Sequence, residues 1–187
     1  RVLEIIKDEH NELKNRFGFN QFRDHQEPII ESILQNKDTL AILPTGSGKS
    51  LCYQLPATLK KGSTIVISPL IALMEDQVQH LTKLGISSLC LTSNSSSIDR
   101  DFVFHHLTEL SLLYLSPERL TEPSFIEWLK KQSVSQFVID EAHCISQWGH
   151  AFRPQYRELK ILKEQFPNIP IAAFTATATP TVIKDIA

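Results

Sequence analysis

No stretch of this sequence approaches the roughly 20 consecutive apolar residues that cross a bilayer, so no membrane-spanning helix is expected. The first ten residues, RVLEIIKDEH, are charged and amphipathic and hold no signal-peptide core. Cysteine is scarce. Cys52, Cys90 and Cys144 are odd in number, far apart and without a CxxC pair. That argues against a disulfide framework or a thiolate metal site and favours packing thiols in a reducing compartment. An excess of charge of either sign is also missing. The formal net charge is −2, so any contact with nucleic acid must come from a local patch. There is no internal repeat, and the one low-complexity stretch is the short loop SNSSS at Ser93–Ser97. Within it, Ser96 with Asp99 is placed to cap a following helix.

What is present is an ordinary globular composition, 42% hydrophobic and 21% charged, in 187 residues. Six short apolar runs punctuate it: Thr39–Leu43, Thr64–Ser68, Ser87–Leu91, Leu112–Ser116, Gln136–Asp140 and Pro170–Thr175. Most are continuously apolar rather than alternating, as strands buried on both faces of a parallel sheet are. Helix-period stretches lie between them, such as Leu70–Leu84 and Phe152–Phe166. The alternation predicts a three-layer α/β domain with a mainly parallel sheet. Two helical segments, about Val2–Arg16 and Asp24–Gln35, precede the first strand as a short N-terminal appendage. Residues 1–36 are thus read as a helical segment and 37–187 as the sheet domain. In open α/β sheets ligands gather at the carboxyl ends of the strands, and the residues after each run carry the chemistry.

After the first run comes PTGSGKS, Pro44–Ser50, then a helical pattern. Gly46 and Gly48 let the successive N–H groups of Thr45, Gly46, Ser47 and Gly48, after Pro44, line one concavity, and the helix N-terminus adds positive potential. Lys49 reaches outer phosphates and the Ser50 hydroxyl suits a bridging Mg²⁺. The first glycine of the full phosphate-loop pattern is replaced by Leu43. The run Gln136–Asp140 ends in Asp140 followed by Glu141. An aspartate at a neighbouring strand end holds the Mg²⁺ shell in such proteins, and the next carboxylate suits a general base for water. His143, three residues on, is either a packing histidine or a sensor of the nucleotide state. FTATATP, Phe174–Pro180, offers the Thr175 and Thr177 hydroxyls beside the site, although threonine before a helix is commonplace.

Phosphate loop, DEAH and TAT in this order resemble the first motor domain of a superfamily 2 helicase, a RecA-like P-loop NTPase fold. Further stretches resemble the RecQ family of DNA helicases: FGFNQFRDHQ (Phe17–Gln26), LPTGSGKSLCYQLPA (Leu43–Ala57), SPLIALMEDQV (Ser68–Val78), YLSPERL (Tyr114–Leu120) and DEAHCISQWGHAFRPQY (Asp140–Tyr156). The likeness runs from about Leu13 to Pro180. It implies that Phe19 and Arg23 sandwich an adenine and that Gln26 reads its edge. A stacked guanidinium and a bidentate glutamine suit that task, although FGFNQFR also reads as a hydrophobic docking loop. It further implies that Gln147, Trp148, His150, Phe152 and Arg153 meet single-stranded DNA while Asp140–His143 face ATP. Base–aromatic stacking contributes roughly 1–3 kcal/mol per base. The alternative is that Trp148 and Phe152 pack under a helix.

In one place the chain departs from the family. Its loop usually reads GHDFRP, whereas Ala151 here lacks the carboxylate. The resemblance implies ATP and Mg²⁺ as cofactors, and single-stranded and partly duplex DNA as partners. It implies a role in repair and recombination with 3′→5′ translocation, in the bacterial cytoplasm or, in a eukaryote, the nucleus. It also implies a second motor domain of the same full-length protein, with Thr175 and Thr177 coupling the lobes. This chain is therefore expected to be the first lobe alone, slow in hydrolysis and unable to unwind DNA. Two readings stay open beside it: an RNA-remodelling superfamily 2 ATPase, and a non-motor module that binds ATP and DNA.

Overall fold

The computed structural model describes residues 2–43, 48–140 and 160–175, with side chains from Asp8 onward. All six apolar runs form strands: β1 Thr39–Ile42, β2 Ser63–Ile67, β3 Ser88–Leu91, β4 Leu112–Leu115, β5 Val134–Ile139 and β6 Ile171–Thr175. They make one sheet in the order β1-β6-β5-β2-β4-β3, parallel at every pairing. Among the described residues the sheet is thus wholly rather than mainly parallel. Every carboxyl end lies along the same edge.

The helices are α1 Val2–Asn15, α2 Gln26–Leu34, α3 Lys49–Leu59, α4 Ile71–Lys83, α5 Ser97–His106 and α6 Pro123–Lys130. Of the helix expected over Phe152–Phe166, residues 160–165 are helical and those before 160 lie outside the described residues. Ser96 caps α5 as its spacing predicts, its hydroxyl accepting from the Asp99 N–H at 3.1 Å.

Because side chains alternate across a strand, each central strand serves two cores. Ile65, Ile67, Leu113, Leu115, Phe137 and Ile139 meet Val103 of α5 and Phe125 and Leu129 of α6 on one face. Val66, Leu112, Tyr114, Val138 and Phe174 meet Ile30 of α2, Leu55 of α3 and Met74 of α4 on the other. This is the three-layer arrangement that the continuous apolar runs predict. β2, β4 and β6 are buried at every position. The edge strand β1 differs: Leu40 and Ile42 remain 37% and 40% exposed, and among the described residues no strand pairs beyond it.

The two N-terminal helices join the second core. Leu13 of α1, Phe17 just after it, and Ile30 and Ile33 of α2 pack with Leu51 and Leu55 of α3, and the Thr58 hydroxyl of α3 donates to the Glu12 carboxylate. That packing places the segment between α1 and α2 beside the start of α3. Among the described residues no helix is long and apolar enough to cross a membrane.

Candidate nucleotide site

α3 begins where a chain leaving β1 must turn sharply. Gly48 makes that turn in the left-handed region, φ 77°, and caps the helix. A side chain there would suffer backbone strain, and a Cβ would sit 2.6 Å from Gln26 Nε2. Pro44–Ser47 lie outside the described residues. Lys49, the first residue of α3, reaches across the carboxyl edge, its Nζ 3.0 Å from Asp140 Oδ1.

The sequence places Asp140 at the end of a strand neighbouring the phosphate loop. The sheet corrects this: β6 lies between β1 and β5, so the two ends are next-but-one neighbours. Their separation is bridged by the length of the lysine side chain. Thr175, at the end of that intervening β6, is 1% exposed, and its carbonyl accepts the Leu43 N–H at 2.9 Å. Glu141, His143 and Thr177, with the DNA-loop candidates Gln147, Trp148, His150, Phe152 and Arg153 and the substituted Ala151, lie outside the described residues.

Asp140 is itself 4% exposed. Its backbone N–H is paired with the Ile67 carbonyl at 2.9 Å, which continues the β5–β2 ladder by one residue and fixes where the carboxylate points. The Tyr53 hydroxyl of α3 donates to Asp140 Oδ2 at 3.2 Å. Burial raises the Tyr53 pKa well above the usual tyrosine range, with Tyr114 and Asp140 adding to the shift, so it stays a neutral donor. The network continues inward. Tyr53 and Tyr114 hydroxyls lie 3.3 Å apart, and Gln54 Nε2 contacts Tyr114 Oη at 3.0 Å and Gln77 Oε1 of α4 at 2.7 Å. A buried polar chain thus runs from the site carboxylate to the helix after β2. These partners were not among the sequence candidates. The available signal was tyrosine inside otherwise apolar runs, LLYL and SLCYQL, since buried hydroxyls demand partners.

The adenine candidates converge on the same end of α3. Gln26 opens α2 and is 4% exposed. Its Oε1 accepts the Arg23 N–H at 2.9 Å and its Nε2 donates to the Gly48 carbonyl at 3.0 Å. The amide therefore joins the N-terminal segment to the end of the phosphate loop, a structural task that the sequence reading did not foresee. Beside it a cavity of about 180 Å³ is lined by Phe17, Phe19, Arg23, Gln26, Gly48 and Ser50, among others. Phe19 is 55% exposed at its rim, an aromatic face open to a flat partner. Cys52, one turn along α3, is fully buried, and burial pushes its thiol up to about 12. It is a packing group, and Cys52 and Cys90 are both free of disulfides.

A parallel sheet, a glycine-capped helix after its edge strand and a lysine–aspartate contact along its carboxyl edge define a RecA-like nucleotide-binding domain. The family model for DEAD/DEAH box helicases matches residues 23–186, and the chain belongs to that family. It is 50% identical over 171 residues to the probable ATP-dependent DNA helicase RecS of Bacillus subtilis, covering 91% of this chain and 34% of that protein. It is 49% identical over 172 residues to the ATP-dependent DNA helicase RecQ of Pasteurella multocida, covering 91% and 27%. Among solved structures, the Mycobacterium smegmatis helicase Lhr bound to single-stranded DNA and AMP-PNP matches with a TM-score of 0.72 at 21% identity. That match covers 91% of this chain and 24% of that one, and it shows the shared fold. The chain spans about a third or less of the curated relatives' length.

Proposed function

We propose that this chain is the ATP-binding motor lobe of a RecQ-type DNA helicase, which couples ATP hydrolysis to 3′→5′ translocation on single-stranded DNA and to duplex unwinding in repair and recombination. The observation that carries the reading is the Lys49–Asp140 contact at 3.0 Å, a phosphate-seeking cation held against a metal-seeking carboxylate at one sheet edge. The likeness to proteins named as ATP-dependent DNA helicases, at 43–50% identity over most of the chain, supports DNA rather than RNA as the track.

Adenine stacks between Phe19 and Arg23, and Gln26 reads its edge from the position where it already holds Gly48. Pro44–Ser50 wrap the phosphates. Lys49 then has two anions within reach, and its ammonium moves from Asp140 toward the outer phosphates. The donor set fits Mg²⁺: Asp140 supplies a hard oxygen with Tyr53 orienting it, and the Ser50 hydroxyl is the second candidate ligand. When bound, the ion neutralises charge on the phosphate oxygens. Glu141 takes the proton of the attacking water and His143 senses the nucleotide state. Gln147, Trp148, His150, Phe152 and Arg153 bind the single strand, and Thr175 and Thr177 couple to a second motor domain.

Single-stranded-DNA-stimulated ATPase of the full-length protein, wild type beside Trp148→Ala, tests this. Strong stimulation in wild type and basal hydrolysis alone in the variant is the expected result. Equal stimulation in both would show that Trp148 only packs, and no stimulation in either would remove the DNA motor reading. Two further outcomes are expected at the nucleotide. Gly48→Ala adds a strained left-handed residue, about 1–2 kcal/mol, and displaces Gln26. It weakens binding of a fluorescent ATP analogue about tenfold, measured by anisotropy titration. Tyr53→Phe removes a donor to a buried carboxylate, a bond of about 1.5–3 kcal/mol. It raises the Mg²⁺ concentration for half-maximal ATPase by about tenfold, and an unchanged Mg²⁺ profile would show that Tyr53 does not orient Asp140.

A further inference from the structure

Away from the nucleotide, α1 and α2 bring three carboxylates together. One oxygen each from Glu9, Glu27 and Glu31 lies within 4.8 Å of the others. Glu27 and Glu31 stand four residues apart on α2, so they share one helix face. Glu9 comes from α1 and sits on the face that carries the buried Leu13. Three like charges at this spacing repel, and nothing in apolar packing explains their meeting.

The second observation is independent of the cluster. Glu9 is 0% exposed, and neither of its carboxylate oxygens has a hydrogen-bond partner. A buried carboxylate is retained when it is paired, metal-bound or neutral. Among the described residues His10 lies against the cluster, and its Nε2 is 2.7 Å from Glu27 Oε1 rather than on Glu9. Glu27 and Glu31 are half-buried, so one side of the cluster opens to water.

We propose that Glu9, Glu27 and Glu31 form a divalent-cation site that ties α1 to α2 and takes Ca²⁺. The chemistry is that of a hard cation. Ca²⁺ accepts six to eight oxygens at about 2.3–2.6 Å in flexible geometry, so oxygens on one ion lie at most about 4.6–5.2 Å apart, and these three all lie within 4.8 Å of one another. Mg²⁺ demands a near-ideal octahedron at about 2.0–2.1 Å and gives up its waters reluctantly, so a cage of protein carboxylates suits it less well. The carboxylates supply three to six oxygens, and water completes the shell on the open side. In the absence of a cation a proton does part of the same work: burial, with Glu31 and Glu27 beside it, raises the Glu9 pKa from 4.5 to about 7.

Hydrogen–deuterium exchange on the nucleotide-free full-length protein tests the site, with peptides covering α1 and α2 read at pH 8. Addition of about 1 mM Ca²⁺, in the range of weak oxygen sites, is expected to slow exchange in both helices at least threefold. NaCl at equal ionic strength has no such effect. Glu9→Gln and Glu31→Gln each abolish the Ca²⁺ effect. Glu9→Gln also removes a buried charge, so it folds without the ion and its melting temperature at pH 8 is at least that of wild type. Ca²⁺-free wild type loses stability as pH rises from 4.5 to 7, because the folded state holds the Glu9 proton more tightly than the unfolded chain does. Glu9→Gln flattens that slope. No protection by Ca²⁺, protection matched by NaCl, or protection that survives in both variants would overturn the site and leave Glu9 a protonated core residue.

Discussion

Lys49→Ala in the full-length protein is expected to slow ATP hydrolysis by about 10²–10³-fold, the usual consequence of deleting one preorganised group that meets developing charge. The side chain is 18% exposed and lies 3.0 Å from a carboxylate that is itself buried. Phosphoryl transfer needs little covalent help from the protein and depends on positioning and charge, so removing this ammonium takes away much of what the site supplies. The substitution also removes one partner of the Asp140 side chain, whose Oδ2 still accepts from the Tyr53 hydroxyl. Single-turnover hydrolysis, read beside thermal melting, separates the two effects. A slow enzyme with near wild-type melting assigns Lys49 to the chemistry. Hydrolysis at the wild-type rate would remove the phosphate site from this edge of the sheet.

Phe137→Ala is expected to cost about 3–5 kcal/mol of stability, the range for truncating a buried aromatic. Phe137 is 0% exposed in the middle of β5, flanked by β2 and β6. Its ring meets Phe166 at 4.9 Å between centroids, inclined at 61°. The cavity would open under both partner strands, which hydrogen bonding holds in register, so collapse is limited. Urea unfolding should show a lower midpoint at an unchanged slope. A loss below about 1 kcal/mol would mean that the site collapses freely, contrary to close packing. Because Phe137 stands three residues before Asp140, the same cavity is also expected to loosen the carboxylate, and ATPase should fall more than the unfolded fraction accounts for.

Much of the fold was legible because burial on both faces writes itself into composition. TIVIS, LLYL and IAAFT are apolar at nearly every position, and each proved buried throughout. Edge strands were legible as strands but not as edges. TLAI reads like its central counterparts, yet half of its side chains remain exposed. Helix signals were as clear as their caps. Ser96 announced α5, whereas α2 begins at Gln26 rather than Asp24, where the side-chain amide bonds to Arg23 and Gly48.

The candidate site divides in the same way. Gly48, Lys49 and Asp140 could be named from spacing, since the chemistry of phosphate and metal binding demands those residue types after strands. Tyr53, Tyr114, Gln54 and Gln77 could not, because their relation exists only when β4, α3 and α4 pack together. Gln26 was nameable as a base reader, but its grip on the phosphate loop depends on α2 lying against α3.

The sequence by itself determined the element types, the parallel class of the sheet and the residues proposed to meet a nucleotide, because hydrophobic period, turn chemistry and motif spacing are local. Only the tertiary structure decided the strand order, with β6 between β1 and β5, the route from Asp140 to α4, and the meeting of Glu9 with Glu27 and Glu31. Each of these joins residues distant in sequence, and such contacts are chosen by how whole faces pack rather than by any pattern along one segment.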